Sequence, residues 1–402
     1  MKLELDNRIS ENILKQDSFV HRLLCQCVHF NFSYALWRQP NTDAAQLIVD
    51  FSEKPSFFKG ELQETKGFLI APYSSSRNAL LLKPDLAIDC FEKQASLSPT
   101  VSISPKAETF LNNVFSNDPM EPPGKPYFFG GSQNKTLNTS REEYKNLVSQ
   151  SINSIENGIF DKVVPSRIKK ARLPKEFSLY STFRKTCKAY PHAFVSLVSS
   201  PQTGTWLGAS PEILIRQKKN GLFQTVALAG TQAINSRTPL ADISWRQKEI
   251  EEQAMVRRYI VNCFKKIRLR EFEEHGPKTV KAGNLAHLKT VFEVDTEELS
   301  FPELPQMMLD LLHPTSAVCG MPKKSAHQFL KKKESHDRSY FSGYLGPVNL
   351  QDETSLYVNL RCMQILKDEA LLYAGAGVTA DSDPEKEWLE TEAKCHTMLN
   401  QL

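Results

Sequence analysis

The sequence predicts an α+β fold on mainly antiparallel sheet. Three observations carry that prediction. Strand-length runs rich in β-branched and aromatic residues crowd the middle of the chain, short turns join neighbouring runs, and only a few long helical stretches interrupt them. Regular strand–helix alternation is missing, and so is a GxGxxG turn, which argues against a nucleotide-binding fold.

Short strands are expected at Gly67–Tyr73 and Ala79–Leu82, followed by a proline-rich surface loop at Asn117–Pro126. Ser140 and Glu143 form a capping box that opens a helix. Tyr144, Leu147, Val148, Ser151 and Ile155 make its apolar stripe, and Gly158 closes it. Strands follow at Asp161–Arg172, Ala193–Ser200, Thr205–Arg216 and Phe223–Leu228, with Pro165 marking an edge or bulge in the first. A long helix is expected over Asp242–Arg270, with Ile250, Val256, Ile260 and Phe264 facing inward. Strands at Thr290–Val294, Ser355–Leu366 and Leu371–Ala374 and a helix over Asp383–Asn400 complete the chain.

Composition narrows the function. The net charge of +4, from 50 basic and 46 acidic residues dispersed along 402, carries no nucleic-acid footprint. No apolar run reaches membrane-spanning length, and the polar N-terminus does not read as a signal peptide. The eight cysteines are scattered without metal or redox spacing, so a cytoplasmic protein is expected.

Two carboxylate pairs stand out, Glu249 with Glu252 and Glu387 with Glu390. Spacing of three puts each pair on one helical face. Brought together, two such faces would repel unless a hard cation such as magnesium lay between them; spacing alone equally describes solvated surface. Lys162, Glu212 and Arg361 interrupt apolar strand contexts, with alternation placing Arg361 on the face of Tyr357 and Asn359. A buried lysine and glutamate can have their proton affinities perturbed, as an acid–base couple requires, although both positions also suit the wet face of a sheet. The turns Ala229-Gly230-Thr231 and Ala374-Gly375-Ala376-Gly377 can offer backbone N–H groups to a carboxylate.

In order along the chain, DKVVPSR (161–167), GASPEIL (208–214), ALAGTQ (227–232), KEIEEQ (248–253), AHLKT (286–290), LHPTSAVCGMP (312–322), ESHDRSYFSGYLG (334–346), NLRC (359–362), AGAG (374–377) and EWLETEAK (387–394) resemble the chorismate-utilising enzyme family. The resemblance implies a single domain over residues 1–402, with a variable first half (1–140) and a motif-bearing catalytic half (141–402), built as two packed, mainly antiparallel sheets with surrounding helices. It implies Mg2+ held by Glu252 and Glu390, with Glu249 and Glu387 reaching it directly or through water. It further implies Lys162 as general base, Glu212 as general acid and His287 as the active-site histidine. Gly230, Thr231, Arg361, Gly375 and Lys394 would bind substrate.

The implied reaction converts chorismate to isochorismate by water addition at C2 and loss of the C4 hydroxyl. The alternatives are salicylate formation with pyruvate elimination, or a non-catalytic chorismate-binding relative. Ammonia-using members carry glutamine where this chain has Lys162, so no glutaminase subunit is expected. Neither is a nucleic-acid or membrane partner, and a monomer is expected. Gln253 stands where the family usually has histidine, Ile250 where arginine is common, and Ser316 where proline is usual.

Overall fold

The computed structural model describes residues 17–74, 78–90, 94–98, 103–115, 124–129, 138–234, 239–282 and 285–402. Most of the expected loop at Asn117–Pro126 lies outside them. The helices are α1 (Asp17–His29), α2 (Pro105–Phe115), α3 (Arg141–Glu156), α4 (Leu179–Ala189), α5 (Gln247–Lys266), α6 (Leu304–Leu312), α7 (Lys323–Lys333) and α8 (Pro384–Leu399).

Two antiparallel sheets of nine strands stack face to face. The first runs Gln94–Leu97, Leu86–Asp89, Ala45–Asp50, Ser33–Arg38, Phe194–Ser200, Gly204–Ser210, Cys362–Ile365, Glu369–Gly375, Ser166–Arg172. The second runs Glu273–Ala282, Leu285–Asp295, Leu222–Ala233, Ile213–Lys218, Glu353–Val358, Tyr344–Val348, Gly67–Ala71, Leu80–Leu82, Ser56–Phe57. Each sheet takes strands from before and after residue 140.

Side-chain alternation explains the stacking, because successive residues point to opposite faces. In Ser33–Arg38, Ala35 and Trp37 enter the core between the sheets, where Phe68, Ile70 and Tyr357 of the second sheet meet them. Tyr34 and Leu36 face the other way, onto Phe19 and Leu23 of α1 and Phe110 of α2. The second sheet's outer face packs on Val256, Ile260 and Phe264 of α5 and Met308 of α6. Helices therefore cover both outer faces, which is why strands such as Phe194–Ser200 are buried throughout.

The capping box read from sequence holds: Ser140 and Glu143 form it at the start of α3. At the start of α8 the Asp383 side chain accepts the Lys386 N–H. Three expectations change. Ile250 is 47% exposed rather than inward; it precedes Val256 by six residues, about 1.7 turns, so it leaves the Val256–Ile260–Phe264 stripe, which Gln253 extends instead. Pro165 ends a two-residue strand, Lys162–Val163, that pairs with Gly320–Met321 in a separate ribbon, and the first-sheet strand begins at Ser166. The single strands expected at Thr205–Arg216 and Ser355–Leu366 each divide between the two sheets. α1, α2, α4, α6 and α7 had no counterpart among the expected elements.

Those two divisions position everything that follows. Gly204–Ser210 leaves the first sheet through Pro211 and Glu212 and enters the second as Ile213–Lys218. Glu353–Val358 leaves the second through Asn359, Leu360 and Arg361 and enters the first as Cys362–Ile365. The corners lie side by side. The Ala209 N–H donates to Arg361 O and the Val358 N–H to Glu212 O, each at 3.0 Å, while the Leu360 N–H donates to Ser210 Oγ at 3.2 Å. Arg361 has φ +47°, so strand alternation does not govern it.

Close packing of the corners requires Gly208, where a Cβ would lie 2.8 Å from Cys362 Cβ and 3.2 Å from its Cα. Gly208→Ala is expected to cost about 1–3 kcal/mol, as overpacking does, read as a lowered urea midpoint at unchanged slope.

Candidate active site

The corners open onto a cleft of about 760 Å³, counting its mouth, between the first sheet's edge and helices α5 and α8. Of the residues singled out in the sequence, Glu212, Gly230, Glu252, His287, Arg361, Gly375, Glu390 and Lys394 line it. Lys162, Glu249 and Glu387 stand behind that wall. Thr231 lies in the strand Leu222–Ala233, and its side chain is outside the described residues.

Lys162 is 1% exposed, and its Nζ donates to Glu252 Oε1 at 2.7 Å. Gly377 permits that approach, because a Cβ there would fall 3.0 Å from both Lys162 Cε and Glu252 Oε1. Glu212 is buried, and burial pushes its carboxyl up to about 7 against the pull of Lys162 and Arg361. Burial, then the Arg361 and Lys394 cations, push His287 down to about 3. Its ring is therefore neutral at physiological pH. Gly230, at φ +68°, is the bulge residue of its strand, and a Cβ there would fall 3.1 Å from Glu249 Cβ.

Each of three carboxylates is matched by a lysine: Glu252 by Lys162, Glu387 by Lys248 at 2.8 Å, and Glu390 by Lys394 at 2.6 Å. Lys394 also donates to Gly375 O at 2.8 Å. Burial and then Glu390 raise the Glu387 carboxyl. Burial would raise Glu252 too, but Lys162, with Lys394 and Lys248 adding to it, makes the net shift downward. Glu249 turns away, its Oε2 accepting the Arg246 N–H at 3.0 Å and capping its own helix. The four glutamates do not close into one cluster; among the described residues, the ligand atoms that gather within 4.8 Å are those of Glu273, His275 and Glu293 on a distant sheet edge. Glu252 and Glu390 nevertheless face the same cleft, and Glu387 Oε2 is buried with no hydrogen-bond partner. Carboxylate oxygens with acceptor capacity to spare, offered from two helices, fit a hard divalent cation.

Both helices are anchored. Gln253 Nε2 donates to Ala227 O at 3.2 Å and Thr290 Oγ1 at 3.0 Å, tying α5 to the second sheet. The Arg167 guanidinium lies 3.9 Å above the Trp388 ring and its Nε donates to Thr391 Oγ1 at 2.6 Å, tying α8 to the first.

Sequence reasoning passed over Lys248, Ser342 and a buried knot around Arg338. Arg338 pairs with Glu334 at 2.6 Å and donates to Val318 O at 2.7 Å and Val164 O at 2.6 Å, clamping the segments that flank the two strands of the ribbon carrying Lys162. Glu334 in turn accepts the Ser166 N–H at 2.7 Å. The acid–base spacing of Glu334 and Arg338, four apart, was the available signal.

A family model described as "Chorismate binding enzyme" matches residues 84–402. The vibriobactin-specific isochorismate synthase of Vibrio cholerae is 29% identical over 283 residues, 65% of this chain and 66% of that protein. The isochorismate synthase DhbC of Bacillus subtilis is 32% identical over 271 residues, 64% of this chain and 67% of that protein. The chain thus spans about two thirds of the length of these relatives. In fold it is similar to the menaquinone-specific isochorismate synthase MenF of Escherichia coli, with a TM-score of 0.73 at 19% identity over 94% of this chain and 91% of that one. DhbC of Bacillus anthracis gives 0.68 at 20% identity over 92% and 96%. With the family model matching most of its length and this fold beneath the match, the chain belongs to the chorismate binding enzyme family.

Proposed function

We propose that the chain is an isochorismate synthase. The observation that carries this reading is a buried carboxyl poised near neutrality, Glu212, on a cleft that also presents Arg361 and Lys394 and is backed by Lys162. The names of the relatives in Vibrio and Bacillus support it. Chorismate is a dicarboxylate, and Arg361 and Lys394 supply cations to hold it, with the backbone at Gly230 and Gly375 alongside.

In this reading Lys162 is the general base, taking a proton from a water that attacks C2 of the ring. The double bonds shift, the C4–O bond breaks, and Glu212 protonates the departing oxygen, so water enters and leaves and the product is an isomer of the substrate. Neutral His287 contributes hydrogen bonding without adding charge. Glu252, Glu390 and Glu387 would hold Mg2+, which supplies charge neutralisation and fixes a substrate carboxylate when bound. Pairing of Glu249 with its helix terminus leaves it outside that set. A lysine in place of the glutamine of ammonia-using members favours water as nucleophile, and no glutaminase partner is required. The cysteines are all free, in keeping with a cytoplasmic setting. Among the described residues, no helix is long and apolar enough to cross a membrane.

Incubation with chorismate and magnesium is expected to yield isochorismate, reversibly, without stoichiometric pyruvate in a lactate dehydrogenase-coupled assay. Pyruvate would move the activity to salicylate formation, and anthranilate from added ammonium would overturn the role given to Lys162.

Turnover should vanish in EDTA and return with Mg2+, and Glu252→Gln or Glu390→Gln should abolish it. Full activity in chelator would remove the metal from the mechanism.

Lys162→Ala and Glu212→Gln should each cost roughly 10²–10⁴ in kcat, and the double variant little more, because the two groups serve one step. In the native protein kcat/KM should fall as pH rises through about 7, where Glu212 loses its proton. A second readout is independent of turnover. A carboxyl raised from 4.5 to about 7 on folding binds its proton more tightly in the folded chain. Its contribution to stability is therefore complete below 4.5 and lost as pH rises to about 7, by roughly 3 kcal/mol. Glu212→Gln should remove that loss, so denaturation at pH 5 and pH 8 should show the variant gaining far more relative to native protein at the higher pH.

A further inference from the structure

Ser342 combines three features that no part of the mechanism above uses. Its φ is +60°, a left-handed conformation that disfavours any residue with a Cβ. Its hydroxyl Oγ is buried and has no hydrogen-bond partner. The residue lines the cleft, with Phe341, Leu360 and Arg361. The backbone geometry is imposed from outside. Ser342 N–H donates to Asn359 O at 2.9 Å and Asn359 N–H to Gly343 O at 2.8 Å, while Asn359 Nδ2 donates to Tyr340 O at 2.9 Å. These bonds hold the turn against the corner that delivers Arg361, and glycine would meet their demand without strain. The chain instead carries a hydroxyl there and leaves it unsatisfied, and two costs at one position facing a ligand cleft are the signature of a group whose partner arrives with the ligand.

We propose that the Ser342 hydroxyl is a substrate-binding contact. It hydrogen-bonds an oxygen of the bound hydroxylated cyclic dicarboxylate, on the Arg361 side of the cleft. The inference rests on the reading of that cleft as the chorismate site. A hydroxyl can donate to a carboxylate oxygen and accept from a ring hydroxyl, so the contact suits either group of that ligand class. Arg361 supplies charge, and Ser342 supplies orientation.

The test uses Ser342→Gly and Ser342→Ala in the full-length, magnesium-supplied protein. Melting temperature is measured with and without chorismate, beside steady-state KM and kcat. Loss of one neutral hydrogen bond should raise KM about 3- to 10-fold in both variants and shrink the chorismate-induced rise in melting temperature. Ser342→Gly, relieved of strain, should meanwhile melt higher than the native protein when no ligand is present. A residue present only for structure would give the opposite pair, a lower melting temperature with an unchanged KM. If native protein responds to chorismate and both variants respond identically, this inference fails alone. If native protein neither turns over chorismate nor is stabilised by it, the functional reading fails and this inference falls with it.

Discussion

The structure depends on one constraint: two chain segments change sheets at the same place, and each satisfies the other's backbone there. When a strand leaves a sheet its N–H and C=O groups lose their ladder partners, and buried orphans of that kind are expensive. Here Arg361 O receives the Ala209 N–H and Glu212 O receives the Val358 N–H, so neither corner can form alone. The two residues whose backbones complete this exchange are those whose side chains project to the cleft. A carboxyl and a guanidinium are thereby fixed on one rigid framework between two hydrophobic cores, and Glu212 owes its raised proton affinity to that burial.

The opposite side of the cleft follows a different logic, that of charge. Three carboxylates from α5 and α8 would repel one another across a partly dry space, and three lysines offset that repulsion. The arrangement is coherent without a cation and remains receptive to one, because Glu387 keeps a buried oxygen unbonded. It also places Lys162 and Glu252 in direct contact, so the residue proposed as base and a residue proposed as metal ligand cannot be perturbed separately. The departure at Gln253 is accommodated here: its amide ties α5 to the sheet through Ala227 and Thr290, so helix placement does not need the usual histidine.

Lys162 reaches the site by neither large sheet. Its two-residue strand is gripped by Arg338, which bonds carbonyls flanking both strands of the ribbon and is itself neutralised by Glu334. A buried arginine with its donors so directed trades desolvation for geometry, and the geometry obtained is the position of the lysine.

How much of this was legible beforehand divides along sequence distance. Caps, helical stripes and glutamate spacing depend on neighbours three or four residues away, so the Ser140 cap and the faces of α5 and α8 were readable, as was the break at Pro165. The order of the motifs identified the family and, through it, the cleft residues. What tertiary structure alone decided is where long-range partners outrank local pattern. The apolar runs through Glu212 and Arg361 look like single strands, because nothing nearby reveals that residues 150 apart, Ser210 and Leu360, are bonded at the corner. The same holds for Glu249, which turned to its helix terminus, and for Ser342, whose strained backbone is set by Asn359. A periodic pattern records which face a residue takes; which sheet or cleft that face meets is set by contacts formed only when distant segments pack.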